Sequence, residues 1–258
     1  MATVTSRDGT TIVYDVAGDG APVILVGGAL SDRRSAAALA QVLARDLRVV
    51  TYDRRGRGDS GDTPPYAVDR ETEDLAALID EVGGQASVYG HSSGAALALA
   101  AAAAGVPVRR LIVFEPPYSV VARPVEPAHL VDDLRALMSA GRRGEVVEKF
   151  MTDAVGLPSQ VVEQTRQSPA WPALEALAHT ILYDLEILGD NRPPEAALAR
   201  ITIPTLVLGS SASPGWLQDA VAATAASIPG AEHRLLDGEF HGVAPEELAP
   251  VLVAFFQG

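Results

Sequence analysis

The run Val23-Ile24-Leu25-Val26, with no polar residue and ending in Gly27-Gly28, constrains this chain more than any other feature. A strand with one wet face alternates apolar and polar residues. A strand apolar throughout is covered on both faces, as parallel strands between helical layers are. Similar signals recur at Leu47–Tyr52, Ala86–Tyr89, Val108–Phe114, Thr205–Leu208 and His233–Leu236. Between them lie helical patterns: Ser35–Leu43, Val68–Val82 with Leu75, Leu78, Ile79 and Val82 on one face, an alanine-rich stretch from about Ser93, Trp216–Ile228, and Pro245–Phe256. Strands alternating with helices predict a parallel, doubly wound sheet. At the N-terminus, Thr3–Ser6 and Thr11–Ala17 read as two strands joined by an Asp8-Gly9 turn.

The alternation stops at Glu115-Pro116-Pro117. From there to Arg200 no strand is expected, only helical stretches at Leu130–Ser139, Glu145–Met151 and Pro172–Leu188. Residues 118–200 therefore read as a helical insertion into a core made of residues 1–117 and 201–258.

Gly90-His91-Ser92-Ser93-Gly94 has the form G-x-S-x-G, between the strand ending at Tyr89 and the alanine-rich helix. A serine at so tight a strand-to-helix turn is held in a strained backbone conformation with its hydroxyl exposed at the C-terminal end of the sheet. Small residues two positions away on each side let strand and helix approach. The N–H groups at the helix start can stabilise an oxyanion.

Composition narrows the chemistry. The 258 residues include no cysteine, which excludes disulfides, thiolate metal sites and a cysteine nucleophile. Lys149 is the sole lysine, so a Schiff-base lysine is not expected. The formal net charge of −13 sets the surface against phosphate backbones and argues against nucleic acid as a partner. The longest apolar run, Gly94–Val106, is too short to span a bilayer. Met1–Asp15 lacks the pattern of a secretory signal, and a cytoplasmic location with no membrane partner is expected. His129, His179 and His233 have no metal-ligand spacing, so neither metal nor cofactor is expected. Gly56-Arg57-Gly58-Asp59-Ser60-Gly61 matches G-x-G-x-x-G, but Pro64-Pro65 blocks a helix directly after it, and a dinucleotide cradle needs one.

Taken in order, the Asp8-Gly9-Thr10 opening, the strand into Gly27-Gly28-Ala29, the Tyr52–Ser60 loop, the serine turn and a late Phe240-His241-Gly242 resemble the α/β-hydrolase superfamily along nearly the whole chain. The resemblance implies an α/β fold: a mostly parallel eight-stranded sheet flanked by helices, with the insertion as a helical cap. It implies Ser92 as nucleophile and His241 as its general base, since a serine hydroxyl is a poor nucleophile without one. It also implies an oxyanion hole from the N–H groups of Ser93 and Ala29. His91, inside the turn, is expected to pack behind the nucleophile. The family usually has His-Gly where this chain has Gly27-Gly28, which removes a side chain that normally braces the loop.

The acid departs from the family pattern. Most members place an aspartate shortly after the strand that here is Thr205–Leu208, yet this chain reads Gly209-Ser210-Ser211-Ala212-Ser213-Pro214-Gly215-Trp216. Glu115, at the end of the preceding strand, is the favoured substitute; some relatives, haloalkane dehalogenases among them, place their acid there. Asp219 and Glu239 are the alternatives, and a dyad without any acid is a third. A serine does not offer the alkyl-enzyme route that uses an aspartate. Acyl transfer to water through a seryl ester, from an apolar small-molecule carboxylic ester, lactone or related acyl compound, is therefore expected. His179, Tyr183 and Trp216 are candidate pocket residues. Two other classes stay open: a cofactor-free acyltransferase or perhydrolase on the same fold, and a non-catalytic ligand-binding relative.

Overall fold

The computed structural model describes residues 1–120 and 127–258. Its strands are β1 (Ala2–Thr5), β2 (Thr11–Ala17), β3 (Ala21–Val26), β4 (Leu47–Tyr52), β5 (Ala86–His91), β6 (Val108–Phe114), β7 (Thr205–Ser210) and β8 (Glu232–Leu236). They form one sheet in the order β1-β2-β4-β3-β5-β6-β7-β8. The pairings from β4 through β8 are parallel; only β1–β2 and β2–β4 are antiparallel. The chain runs outward from β3 to β4, then crosses back to place β5 on the other side of β3. Open parallel sheets bind ligands at the carboxyl ends of strands beside such a reversal.

The helices are α1 (Ala37–Leu43), α2 (Val68–Glu81), α3 (Ser93–Ala103), α4 (Pro127–Ser139), α5 (Arg143–Lys149), α6 (Ser159–Arg166), α7 (Trp171–Ala176), α8 (Ile181–Leu188), α9 (Glu195–Leu198), α10 (Gly215–Ala226) and α11 (Pro245–Gln257). Two apolar clusters occupy the two faces of the sheet. One joins Ile24, Val88 and Val113 to Leu75, Leu78 and α3. The other joins Leu25, Tyr89 and Ile112 to Leu39, Leu43 and α11. Burial on both faces is why these strands carry no polar alternation. Every alanine from Ala95 to Ala101 except Ala100 is buried, so α3 lies in the core with no polar face.

Between β6 and β7 the described residues contain helices and no strand. A third cluster lies here, with Leu134, Val146, Val147, Phe150, Trp171 and Ile181 buried together and Ala29 and Leu30 packed against it. Several boundaries differ from expectation. The stretch expected as one helix over Pro172–Leu188 is three pieces, α7, a 3₁₀ turn at Ala178–Thr180, and α8. The first turn of the Ser35–Leu43 helix is instead a 3₁₀ turn at Arg33–Ala36, with Asp32 accepting from Arg34 N–H at its start. Helix α5 continues into a π-helical turn at Phe150–Val155, closed by Gly156 in the left-handed region. Helices α6 and α9 were not expected. Among the described residues no helix is long and apolar enough to cross a membrane.

Candidate active site

Ser92 follows β5 with φ 58° and ψ −126°, then α3 begins at once. Its neighbours explain the glycines on each side. A Cβ on Gly90 would lie 2.7 Å from Ala95 Cα in α3, and one on Gly94 would lie 2.4 Å from Val26 O in β3. A Cβ on Gly28 would come within 2.9 Å of Ser92 Cβ. Strand, turn and adjacent loop therefore close around the serine only because these three positions have no side chain.

Glu115 stands one strand over, directly after β6, with its own φ at 46°. Backbone bonds knit the strand ends together: Ser92 N–H donates to Phe114 O at 2.9 Å, and Glu115 N–H to Leu208 O at 2.9 Å. The Glu115 side chain is fully buried. Its Oε1 accepts Ser210 N–H at 2.7 Å and its Oε2 lies 2.6 Å from His241 Nδ1. Burial works against the carboxylate charge. The hydrogen bonds from His241, the Ser210 backbone and the Ser213 hydroxyl outweigh it and hold Glu115 below its ordinary pKa. A buried carboxylate with this many donors is the ionised form.

His241 comes from the loop after β8 and also has a positive φ, 55°. Its N–H donates to Ser213 Oγ at 3.0 Å, and a tight Glu239–Gly242 bridge closes the turn around it. Strained non-glycine backbone costs on the order of 1–3 kcal/mol per residue and persists where surrounding structure over-determines it. Ser92, Glu115 and His241 are three of the five such residues among the described positions.

Asp219 is exposed on α10 and Glu239 is exposed in the His241 turn, so neither faces His241 Nδ1. Where most of the family has its aspartate, Ser210 at the end of β7 holds Glu115 and Ser213 in the loop after it holds the His241 backbone. His91 stacks on Phe114 with ring centroids 5.4 Å apart, and its Nε2 lies 3.2 Å from His241 O. Burial, then the neighbouring His241, push His91 down to about 4, so it is neutral near pH 7.

Ser92, His241, Ala29 and Ser93 line one cavity with Trp216. Most other lining residues are apolar, among them Leu130, Phe150, Val155, Leu185, Leu188, Leu217 and Phe240. Its ionisable lining residues, among those described, are Asp153, Asp184 and His241. His179 and Tyr183 are not among its lining residues, which corrects their candidate role. Consecutive helical residues point about 100° apart; α8 gives Asp184, Leu185 and Leu188 to the cavity and turns Tyr183 away. Tyr183 stacks on Tyr66 at 3.9 Å and donates to Asp62 at 2.8 Å. His179 packs edge-on to it, with Nδ1 3.1 Å from Arg143.

Sequence reasoning missed the ionic layer beneath the cavity. Arg54 makes a two-pronged pair with Glu71 at 2.8 and 2.7 Å and also meets Asp184 at 2.7 Å. Arg57 meets Asp184 at 2.8 and 2.9 Å and donates to Gly28 O. The side chain missing at Gly27 and Gly28 is thus replaced by braces from below, with Ser31 Oγ also donating to Gly28 O at 2.6 Å. Arginine clustered in Asp53-Arg54-Arg55-Gly56-Arg57 was the available signal. In the same loop a Cβ on Gly58 would lie 2.2 Å from the Asp53 carboxylate, so the glycine pattern packs against an anion and is not a phosphate cradle. Among the described residues no group of three or more His, Asp or Glu side chains is arranged to hold a metal ion.

The sequence profile of the alpha/beta hydrolase family matches residues 15–251. An alpha/beta hydrolase of known structure from Sphaerobacter thermophilus is 54% identical, with a TM-score of 0.95, covering 99% of this chain and 100% of its own. A hydrolase from Pseudomonas aeruginosa shares the fold at 23% identity and a TM-score of 0.80, over 100% of this chain and 98% of its own. N-formylmaleamate deformylase of Pseudomonas putida is 33% identical over 140 residues, 52% of this chain and 52% of that protein. The chain thus spans about half the length of that curated relative. With a profile running over nearly all of it and a structural relative more than half identical from end to end, the chain belongs to the alpha/beta hydrolase family.

Proposed function

We propose that the protein hydrolyses an uncharged, largely apolar carboxylic ester or lactone through a seryl acyl-enzyme. The observation that carries the reading is the ionised, buried Glu115 bonded to Nδ1 of His241, in a histidine that shares an apolar cavity with the strained Ser92. A carboxylate there keeps the proton on Nδ1 and leaves Nε2 with the lone pair a general base needs. His241 takes the Ser92 proton as Oγ attacks the acyl carbon. The N–H groups of Ser93 and Ala29 receive the developing oxyanion. His241⁺ returns the proton to the leaving alcohol, and a water attacks the acyl-enzyme by the same steps in reverse.

The described cavity lining is mostly apolar and holds no arginine or lysine to receive an anionic group, which disfavours an anionic substrate. The described residues of the 118–200 insertion are proposed to act as the lid over it, with 121–126 lying outside the described residues, since Phe150, Val155, Leu185 and Leu188 supply much of the apolar wall. The deformylase relative favours a second reading, in which the scissile bond is an activated formyl amide and the steps are unchanged.

The test is steady-state kinetics of wild type and Ser92→Ala on a panel of nitrophenyl esters, lactones and N-formyl amides. Wild type is expected to turn over neutral medium-chain esters at least tenfold better in kcat/KM than esters whose acyl chain ends in a carboxylate. Ser92→Ala is expected to lose essentially all of it. Unchanged turnover in Ser92→Ala would remove the seryl route, and preference for the anionic acyl chain would remove the substrate class.

A further inference from the structure

The peptide between Gly28 and Ala29 carries two functions at once. Its N–H is the donor that Ala29 offers the oxyanion in the reading above. Its C=O, at the other edge of the same plane, is held by Arg57 and by Ser31 Oγ. A peptide unit is planar with N–H and C=O pointing in opposite directions, so whatever fixes the oxygen fixes the direction of the N–H. A cationic donor on the oxygen also polarises the unit and strengthens the N–H as a donor.

Arg57 is held in turn by Asp184, which α8 carries in from the helical segment between β6 and β7. The same carboxylate accepts the Ser93 hydroxyl at 2.8 Å and Arg54 at 2.7 Å. Ser93 supplies the second N–H of the hole. One buried carboxylate is therefore tied to both donor segments, one through the Ser93 side chain and the other through Arg57 and the Gly28 carbonyl. Arg54, Arg57, Asp184 and Glu71 are all at most 2% exposed. Two cations face two carboxylates, so the layer is neutral. A lone Asp184 this near a forming oxyanion would oppose it, and Arg54 and Arg57 cancel that charge. Burial works against the charge on Asp184, and Arg57 and then Arg54 overcome it and keep the carboxyl below its ordinary pKa.

We propose that Asp184 is a positioning residue of the oxyanion hole, setting the aim of the Ala29 N–H through Arg57 and that of Ser93 through its hydroxyl. It acts through Arg57 and the Ser93 hydroxyl and not on the reacting atoms. The proposal rests on the seryl acyl-enzyme reading. It makes the oxyanion hole dependent on the helical segment, because α8 must be seated for the donors to be aimed.

The test compares Asp184→Asn, Ser93→Ala and their combination in the full chain, with kcat expressed per site titrated by a fluorophosphonate. Asp184→Asn is expected to lower kcat per titrated site about 10- to 100-fold with KM within threefold, short of the ~10²–10³-fold that loss of a whole oxyanion donor causes. Ser93→Ala keeps the backbone N–H and leaves no charge unpaired, so it reports even if Asp184→Asn folds poorly; a loss of about 5- to 20-fold is expected. Inhibition by a trifluoromethyl ketone, which forms an oxyanion on Ser92, should weaken by the same factors. The double variant should be little worse than Asp184→Asn alone, since Asp184→Asn already weakens the Ser93 linkage along with the one through Arg57. If kcat per titrated site and ketone affinity stay within twofold of wild type in Ser93→Ala, or in a folded Asp184→Asn, the positioning role is wrong. If wild type itself takes no fluorophosphonate, it is the seryl reading that fails.

Discussion

At the scale of single residues, the site depends on a carboxylate that reached its place from an unusual strand. Glu115 Oε2 sits 2.6 Å from His241 Nδ1, and Ser210 N–H and the Ser213 hydroxyl complete its coordination. Glu115→Gln keeps the shape and removes the charge that favours the working tautomer and the imidazolium. In chymotrypsin-type enzymes the equivalent change lowers kcat about 10⁴-fold. Here a loss on the order of 10²-fold or more is expected, mainly in kcat, with Asp219→Asn and Glu239→Gln within a few-fold of wild type. Steady-state kinetics on the three variants decides it, and collapse in Asp219→Asn would reassign the acid. The pH dependence of stability carries a separate signature. His91 is pushed down to about 4 in the folded protein, against about 6.5 in an unfolded chain. Between those values the unfolded chain binds a proton that the folded one refuses, so stability falls as pH drops from 6.5 toward 4. Each pH unit in that window is worth at most about 1.4 kcal/mol. Urea midpoints at pH 7.5 and 5 should therefore diverge less in His91→Gln than in wild type. Glu115, depressed below its unfolded pKa of about 4.3, keeps its contribution above that pH and loses it only lower down. The proposed site residues whose placement was legible in the sequence are those tied to a chain position: Ser92 in its turn, His241 before the last helix, Glu115 at a strand end. Ser213, Arg57 and Asp184 were not. Ser213 meets His241 from 28 residues away, Arg57 meets Gly28 from 29 and Asp184 meets Ser93 from 91, and no local pattern records such a meeting.

Elements were legible in proportion to how much apolar surface they bury. Strands β4 and β6 match the expected Leu47–Tyr52 and Val108–Phe114 because both of their faces are covered. Helix α6 was invisible because only Val162 in it is buried, and one apolar position sets no period. The single helix expected over Pro172–Leu188 breaks at Ala178–Thr180, where the Thr180 hydroxyl caps back onto Leu177 O at 2.8 Å. His179 lies in that turn and Tyr183 in α8, where Tyr183 is held against Tyr66 and Asp62 and not in the cavity wall. The contact between β3 and α3 is the joint on which the serine turn depends. A Cβ on Gly94 would lie 2.4 and 2.5 Å from the Val26 and Gly27 carbonyls, both backbone atoms that cannot rotate away. Gly94→Ala is expected to destabilise by about 1–3 kcal/mol, as overpacking does, and to lower kcat per folded molecule by shifting Ser92. Chemical denaturation together with active-site titration checks both effects; a variant as stable and active as wild type would show the joint to be slack.

Across the whole molecule, the parallel sheet brings chain-distant chemistry to one edge. The loop after β3 carries Ala29, the ends of β5 and β6 carry Ser92 and Glu115, the end of β7 and the loop after it carry Ser210 and Ser213, which hold Glu115, and the loop after β8 carries His241. The topology was readable because apolar runs and helical periods alternate along the chain. The layer of buried arginine pairs was not, because a charged side chain in a sequence reads as solvated until its partner is known. That layer joins the core to the helical segment, and both arginines facing Asp184 depend on it. The proposed chemistry requires that Ser92 form a covalent intermediate. The most direct measurement is intact-mass and peptide-mapping mass spectrometry after treatment with a fluorophosphonate. One adduct per chain on the peptide carrying Ser92 is predicted, with activity lost in step and no adduct on Ser92→Ala. Full inactivation with the adduct elsewhere, or a chain that turns over esters while Ser92 stays unmodified, would contradict it.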